Sequence, residues 1–167
     1  MPNRHVNFKW LRLLSIVILC IGIAFRVTNI DKKVYWHDEA YTSLRIAGYT
    51  MKDFSQGAYA HRDSSIKYLQ TFQRFKPGSQ LKDTIHSLAI EDSQHPPLYY
   101  VLLRFWVKLF GNSITIIRNL SILFSFLVFP CLYWLCLELF QSSLIAWMAI
   151  ALLAVSPVHV LFAQEAR

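Results

Sequence analysis

The sequence has few cysteines, no internal repeat and no basic stripe on a soluble domain. All three cysteines lie inside apolar blocks, so we expect them to be unpaired and to carry no information about the redox compartment: Cys20, Cys131 and Cys136. The formal net charge of +7 raises the question of nucleic acid. Because the Lys and Arg residues are scattered through and beside apolar segments, the sequence excludes nucleic acid and favours anionic lipid head groups as partners.

What the chain does contain is apolar sequence, which makes up 54% of its residues and is concentrated in a few blocks. This pattern predicts an all-α, polytopic integral membrane protein with about three transmembrane helices. The first predicted span covers residues 10–30 and is long enough to cross the bilayer. It lacks a small-residue cleavage site, since Arg26 and Val27 follow its apolar run, so we expect an uncleaved span and not a signal peptide.

The later apolar blocks predict spans over residues 114–137 and 144–162, with a turn over residues 138–143 between them and a kink at Pro157. Residues 163–167 would begin a second external loop. Three cations before the first span place the N-terminus in the cytoplasm by the positive-inside rule: Arg4, Lys9 and Arg12. The expected location is the plasma or inner membrane of the cell.

With this topology, residues 31–112 form an extracytoplasmic loop, which we expect to fold into short amphipathic helices on the membrane surface. Helical spacing of apolar residues predicts a helix over residues 38–53. Pro77 and Gly78 mark a turn, and Ser79 is the candidate cap of the helix that follows.

The segment over residues 97–110 is apolar but shorter than the roughly 20 residues that a span needs. Tyr100, Arg104 and Lys108 fall four apart and form one polar stripe on an otherwise apolar helix. This pattern predicts an interfacial amphipathic helix.

Polar clusters at the ends of apolar blocks are the candidates for chemistry. Asp38 and Glu39 follow the first span, where an acidic pair either complements the dipole of a helix or supplies a general base. His95 precedes Pro96 and Pro97 and is either a surface or capping residue or a ligand. The last cluster follows the third span and is either an interfacial anchor or part of a site: Gln164, Glu165, Ala166 and Arg167.

In this order, the clusters resemble the GT-C membrane glycosyltransferases related to the protein O-mannosyltransferases and lipid A aminoarabinose transferases, glycosyltransferase family 39 in the broad sense. The resemblance covers nearly the whole chain. The residues that carry it are Asp38-Glu39, His95 to Tyr100, Leu109 to Gly111, Arg118, Ser156-Pro157 and Gln164 to Arg167.

The resemblance implies that a sugar is transferred from a polyprenyl-phosphate donor to an acceptor, with inversion at the anomeric carbon. Membrane lipid is the other implied partner, and the sequence does not identify the acceptor. It makes Asp38 the candidate general base, with Glu39 beside it. A divalent metal is the candidate cofactor, with His95 and Glu165 as its candidate ligands. The candidate substrate-binding residues are His95, Tyr100, Arg104, Gln164 and Arg167.

Members of this family are several times longer than 167 residues. We therefore expect the chain to be the N-terminal part of one transmembrane domain, inactive without a C-terminal half or a partner chain. The alternative is a membrane interaction or assembly protein that derives from a glycosyltransferase and does not catalyse transfer.

Overall fold

The computed structural model of the chain describes residues 9–60 and 66–166, and every regular element in these residues is helical. The helices in chain order are α1 Lys9–Val27, α2 His37–Ala47, α3 Met51–Ala60, α4 Ile66–Leu69, α5 Leu81–Glu91, α6 Pro97–Phe110, α7 Ile114–Phe140, α8 Ser143–Val155 and α9 Pro157–Ala163. A 3-10 turn, Gln70–Gln73, follows α4. The all-α prediction is confirmed.

The described residues form two compact units. The first, the membrane unit, comprises residues 9–32 and Ser121–Glu165, and the second, the loop unit, comprises Lys33–Leu120 and Ala166. Helix α7 begins in the loop unit and ends in the membrane unit. The loop unit contains most of the residues predicted to form the external loop, and their external location stays a prediction.

Two of the described helices, α1 and α7, are long and apolar enough to cross a membrane, and α8 with α9 is a bent pair that can form a third span. Helix α7 continues to Phe140, so the predicted turn over residues 138–143 shortens to Gln141 and Ser142. The side chain of Glu138 accepts a hydrogen bond of 3.0 Å from the indole of Trp134 one turn earlier. This contact keeps the acidic residue within the helix.

The helix predicted to form the third span is broken where the sequence predicts a kink. Helix α8 ends at Val155, Ser156 is extended, and Pro157 opens α9 at an angle of 64° to α8. Proline fits the first turn of a helix but has no N–H to continue the preceding one. The predicted kink at Pro157 is therefore confirmed.

Close backbone approach joins α1 to α8 within the membrane unit. A Cβ atom on Gly22 would lie 2.4 Å from the carbonyl oxygen of Ala154. Small residues allow this approach, which replaces the hydrophobic effect as the source of helix association in lipid. Phe129, Ile150 and Ala154 form the buried cluster beside the contact.

The helix predicted over residues 38–53 is wrong as one continuous element. It ends at Gly48, which has a left-handed φ of 87° and donates its N–H to the carbonyls of Arg45 and Leu44. A glycine in this conformation is the usual end of a helix, so the chain turns and α3 begins afresh at Met51.

The turn at Pro77 and Gly78 is present, with a positive φ of 75° at Gly78. Helix α5, however, is preceded by Gln80 and not by the predicted cap Ser79. The backbone N–H of Gln80 donates to the carboxylate of Asp83 at 2.6 Å, which closes the first turn of the helix.

Helix α6 has the bounds predicted for the interfacial helix, Pro97–Phe110. Its polar side chains Tyr100 and Arg104 face the interior of the loop unit, whereas Leu98 and Leu109 are 66% and 77% exposed. The apolar face thus points outward, which is the orientation that a helix lying on a membrane surface requires.

Candidate functional site

The two neighbouring acids at the start of α2 lie in opposite environments. Glu39 is completely buried, and its carboxylate accepts two hydrogen bonds from Arg118, at 2.8 Å from Nε and 2.7 Å from Nη2. The side chain of Arg118, which lies near the start of α7, is also fully buried. The sequence did not indicate this pair because 79 positions separate its members.

Further hydrogen bonds fix the carboxylate of Glu39. The backbone N–H of Trp36 donates to it at 3.0 Å and that of Ala166 at 3.1 Å. Burial alone would raise the pKa of Glu39, but the hydrogen bonds from Arg118, Trp36 and Ala166 hold it below its ordinary value. Glu39 is therefore an anion occupied by structural contacts, and a catalytic role for it stays a prediction.

Asp38, in contrast, is accessible. Its side chain is 44% exposed and lies 3.6 Å from Nδ1 of His37. It lines a cavity of about 390 Å³, here called the polar cavity, together with His95 and Tyr100. Three of the residues selected from the sequence are thus brought together by the fold of the loop unit.

A carboxylate that the sequence did not single out organises one wall of the polar cavity. Asp92 bonds to Nη2 of Arg45 at 2.8 Å and to Nδ1 of His95 at 2.6 Å, and the amide of Gln94 donates to it at 3.2 Å. Burial opposes ionisation, but His95 and Arg45 keep the pKa of Asp92 below its ordinary value. The spacing of three residues between Asp92 and His95 is the sequence signal that could have indicated this pairing.

Tyr100 forms a buried wall of the polar cavity. Its ring packs edge-on against those of His95 and Tyr99, with centroids 6.4 Å and 5.8 Å away. Burial is the main cause that raises the pKa of the phenol. Tyr100 is therefore neutral at physiological pH and offers a hydroxyl to the site.

Arg104, predicted to bind substrate, is buried and does not line the polar cavity. Its guanidinium donates to the carbonyl of Ile46, to the hydroxyl of Thr84 at 3.0 Å and to Ser79. These bonds hold α2, α5 and α6 together, and substrate binding by Arg104 stays a prediction.

The candidates from the end of the chain are Gln164, Glu165 and Arg167. Gln164 belongs to the membrane unit, where its amide donates to the carbonyls of Phe25 at 2.7 Å and Thr28 at 3.1 Å. Glu165 belongs to the same unit and is buried. Arg4 and Arg167 lie outside the described residues.

The predicted metal ligands do not form a metal site in the described part of the chain. Within residues 9–60 and 66–166, no group of three or more His, Cys, Asp or Glu side chains is arranged to hold an ion. His95 already binds Asp92 through Nδ1. The described residues therefore hold no complete ligand set, and a metal at His95 and Glu165 stays a prediction.

A second cavity in the loop unit, here called the apolar cavity, has a volume of about 470 Å³. Its walls are mainly aliphatic and aromatic and include Leu44, Phe54 and Phe72. Tyr41 lines both this cavity and the polar cavity. The loop unit thus offers polar and apolar surfaces on the two sides of one side chain.

Comparison with known families gives a match over residues 94–166, to the family described as dolichyl-phosphate-mannose-protein mannosyltransferase. The matched segment begins at the wall of the polar cavity and runs through α6 to α9. It confirms the resemblance to GT-C glycosyltransferases for this segment. No curated protein and no solved structure matches the chain.

Proposed function

We propose that this chain takes part in transferring a sugar from a polyprenyl-phosphate donor to an acceptor at the extracytoplasmic face of the membrane. The observation that carries the proposal is the meeting of Asp38, His95 and Tyr100 around one cavity. The match to a mannosyltransferase family, which starts at residue 94, supports it.

Asp38 is the proposed general base. It accepts the proton of the acceptor's nucleophilic group while that group attacks the anomeric carbon of the sugar. The bond from this carbon to the phosphate oxygen breaks, its electron pair leaves with the polyprenyl phosphate, and the configuration inverts. Asp38 suits this role better than Glu39 because its side chain is 44% exposed and lines the polar cavity, whereas Glu39 is completely buried.

Because a lipid phosphate is a weak base, its departure depends less on an acid than on positive charge and hydrogen-bond donors near its oxygens. His95 and Arg45 both line the polar cavity and supply such groups. We propose that His95 contacts the phosphate. The apolar cavity on the far side of Tyr41 suits an isoprenoid segment, since its walls are mainly apolar.

The proposal places the N-terminus in the cytoplasm and the loop unit outside it, in a protein that spans the membrane several times. This orientation gives the polar cavity access to a donor whose sugar is on the outer face. The two apolar helices α1 and α7 support a membrane location, and the positive-inside rule supports the orientation.

The test is a transfer assay in membranes that contain the protein from its native gene, with a labelled polyprenyl-phosphate sugar. We expect Asp38→Asn to abolish transfer, because the amide accepts no proton from the nucleophile. Asp31→Asn is the matched control, since Asp31 is an exposed acid before α2 and outside the polar cavity.

An active Asp38→Asn protein would show that Asp38 is not the base. If the unaltered protein and the Asp31→Asn control both fail to transfer sugar in native membranes, the alternative of an interaction or assembly protein is favoured. In that case Asp38→Asn should leave the association with its partners intact.

A further inference from the structure

We propose that Asp92 is a positioning residue that holds the ring of His95 by Nδ1, so that Nε2 is the nitrogen presented to a ligand in the polar cavity. The identity of this ligand as a phosphate ester rests on the proposed function. The arrangement of the two side chains does not, and it can be tested by itself.

The first support is the geometry of the pair. Oδ1 of Asp92 lies 2.6 Å from Nδ1 of His95, and the backbone N–H of His95 donates to the carbonyl of Asp92 at 3.0 Å. In a neutral imidazole one nitrogen carries the proton, and the partner of the ring decides which one. A carboxylate only accepts, so Nδ1 is the protonated nitrogen.

The carboxylate of Asp92 is itself held from its other side. Its Oδ2 lies 2.8 Å from Nη2 of Arg45, and the two side chains are only 13% and 10% exposed. The guanidinium of Arg45 in turn lies over the ring of Tyr41, 5.5 Å from its centroid. Asp92 therefore has little freedom to rotate away from His95, and it joins α2 to the segment that precedes α6.

The backbone of His95 is restricted as well. Pro96 has a φ of −60° and a ψ of 130°, and Pro97 begins α6. Proline disfavours the helical conformation of the residue before it and shifts that residue toward extended backbone. With both its backbone and Nδ1 fixed, His95 presents one ring edge to the polar cavity in a defined direction.

Fixing the ring has a consequence for binding. When His95 is protonated, Nε2–H donates to a phosphate oxygen while the carboxylate of Asp92 offsets the added charge. Without Asp92, the ring must lose rotational freedom on binding, and its positive charge lacks a partner. We therefore expect Asp92 to act on ligand affinity through His95 while it touches no ligand itself.

The first experiment is nitrogen NMR on the whole chain in lipid nanodiscs, with ¹⁵N-labelled histidine. The His95 signals are identified by their loss in His95→Asn, and the pH is set where this ring is neutral. We expect a protonated Nδ1 and an unprotonated Nε2 for His95 in the unaltered protein. A proton on Nε2 with Nδ1 bare would overturn the proposal, and this measurement requires no folded variant of Asp92.

The second experiment measures binding of farnesyl phosphate in micelles by calorimetry. We expect Asp92→Asn to weaken binding by about tenfold. This is the lower end of the range for losing a hydrogen bond to a charged group. Asp53→Asn is the matched control, because Asp53 is also paired with a cation, Lys76 at 3.3 Å, and does not line the polar cavity. It should bind like the unaltered protein.

The two experiments separate the two ideas. If the unaltered protein shows the expected protonation of His95 but does not bind farnesyl phosphate, the phosphate ligand of the proposed function is wrong and the positioning by Asp92 stands. If Asp92→Asn folds and binds as tightly as the unaltered protein, the positioning role is overturned.

Discussion

Arg118 and Glu39 form a bidentate ion pair in which both side chains are completely buried. The pair joins the first turns of α7 to the start of α2, and Arg118 also donates to the carbonyls of Lys33 at 3.2 Å and Val34 at 3.0 Å. Arg118 thus fixes the backbone that enters α2. It also fixes the side chain of Glu39, the neighbour of Asp38 in sequence.

The ion pair gives the first prediction. Arg118→Met leaves the carboxylate of Glu39 buried without its cation, and breaking such a pair costs about 3–5 kcal/mol. We expect a loss of this size in the free energy of unfolding, measured by denaturant titration in detergent. Arg118→Met combined with Glu39→Leu should recover part of the loss, because no charge then remains buried. A single Arg118→Met with unchanged stability would contradict this account.

The loop unit should lose stability at acidic pH. The carboxyl groups of Glu39 and Asp92 have a pKa below their ordinary values of 4.5 and 3.8. Their ionised forms stabilise the fold fully above these values, and the contribution is lost as the pH falls through the folded pKa. The melting temperature should therefore be constant near neutral pH and fall below about pH 4.5. If the melting temperature changed more steeply with pH above pH 6 than below pH 4.5, titratable groups other than these two carboxyls would control the stability.

Gly22 provides a test of helix packing in the membrane unit. Gly22→Leu places side-chain atoms against the backbone of Ala154, which a Cβ alone would already approach to 2.4 Å. Overpacking of this kind costs about 1–3 kcal/mol. Ala24→Leu is the control because Ala24 lies on the exposed side of the same helix. We expect a lower melting temperature for Gly22→Leu only, and equal values would rule out this contact.

Arg26 donates to carbonyls at the break between α8 and α9, where Leu153 also accepts the backbone N–H of Ser156. Its guanidinium donates to Ala154 and, at 3.3 Å, to Leu153, and it lies 5.0 Å from the ring centroid of Phe129. The last carbonyls of a helix have no partners within the helix, and an arginine can supply them.

We therefore expect Arg26→Met to destabilise the membrane unit by about 1–3 kcal/mol, the cost of leaving the buried carbonyl of Ala154 without this donor. Arg12→Met removes an exposed arginine that donates to Ser143 at 2.8 Å and should have a smaller effect. The measurement is thermal unfolding of both variants in the same detergent. Equal losses for the two would show that the broken span needs no cap.

The proposed orientation can be tested in intact cells. His86 is exposed on α5, so His86→Cys should react with an impermeant thiol reagent if the loop unit lies outside the cytoplasm. The unaltered protein is the control, since its cysteines Cys20, Cys131 and Cys136 lie in α1 and α7. Labelling of His86→Cys only after the cells are opened would reverse the orientation.

Local signals in the sequence determined much of the helical organisation. Apolar run length predicted the long apolar helices α1 and α7, and Pro157 predicted the break between α8 and α9. Pro97 and Gly111 marked the two ends of α6. These features depend on a residue and its near neighbours along the chain, because proline lacks an N–H and glycine tolerates a positive φ.

The sequence also selected residues that the fold brings together, since Asp38, His95 and Tyr100 share the polar cavity. Each belongs to a polar cluster beside an apolar block, and this is a local property. What the sequence did not show is the part that Asp92 plays in that cavity, because its link to Arg45 crosses from one helix to another.

Only the tertiary structure distinguished Asp38 from Glu39. The two acids are adjacent in sequence, and either one would be expected to interact favourably with the dipole at the start of a helix. They differ because Glu39 meets Arg118 in the interior whereas Asp38 borders a cavity. The burial of a charge and the identity of its partner depend on contacts between distant residues, which spacing along a single chain does not specify.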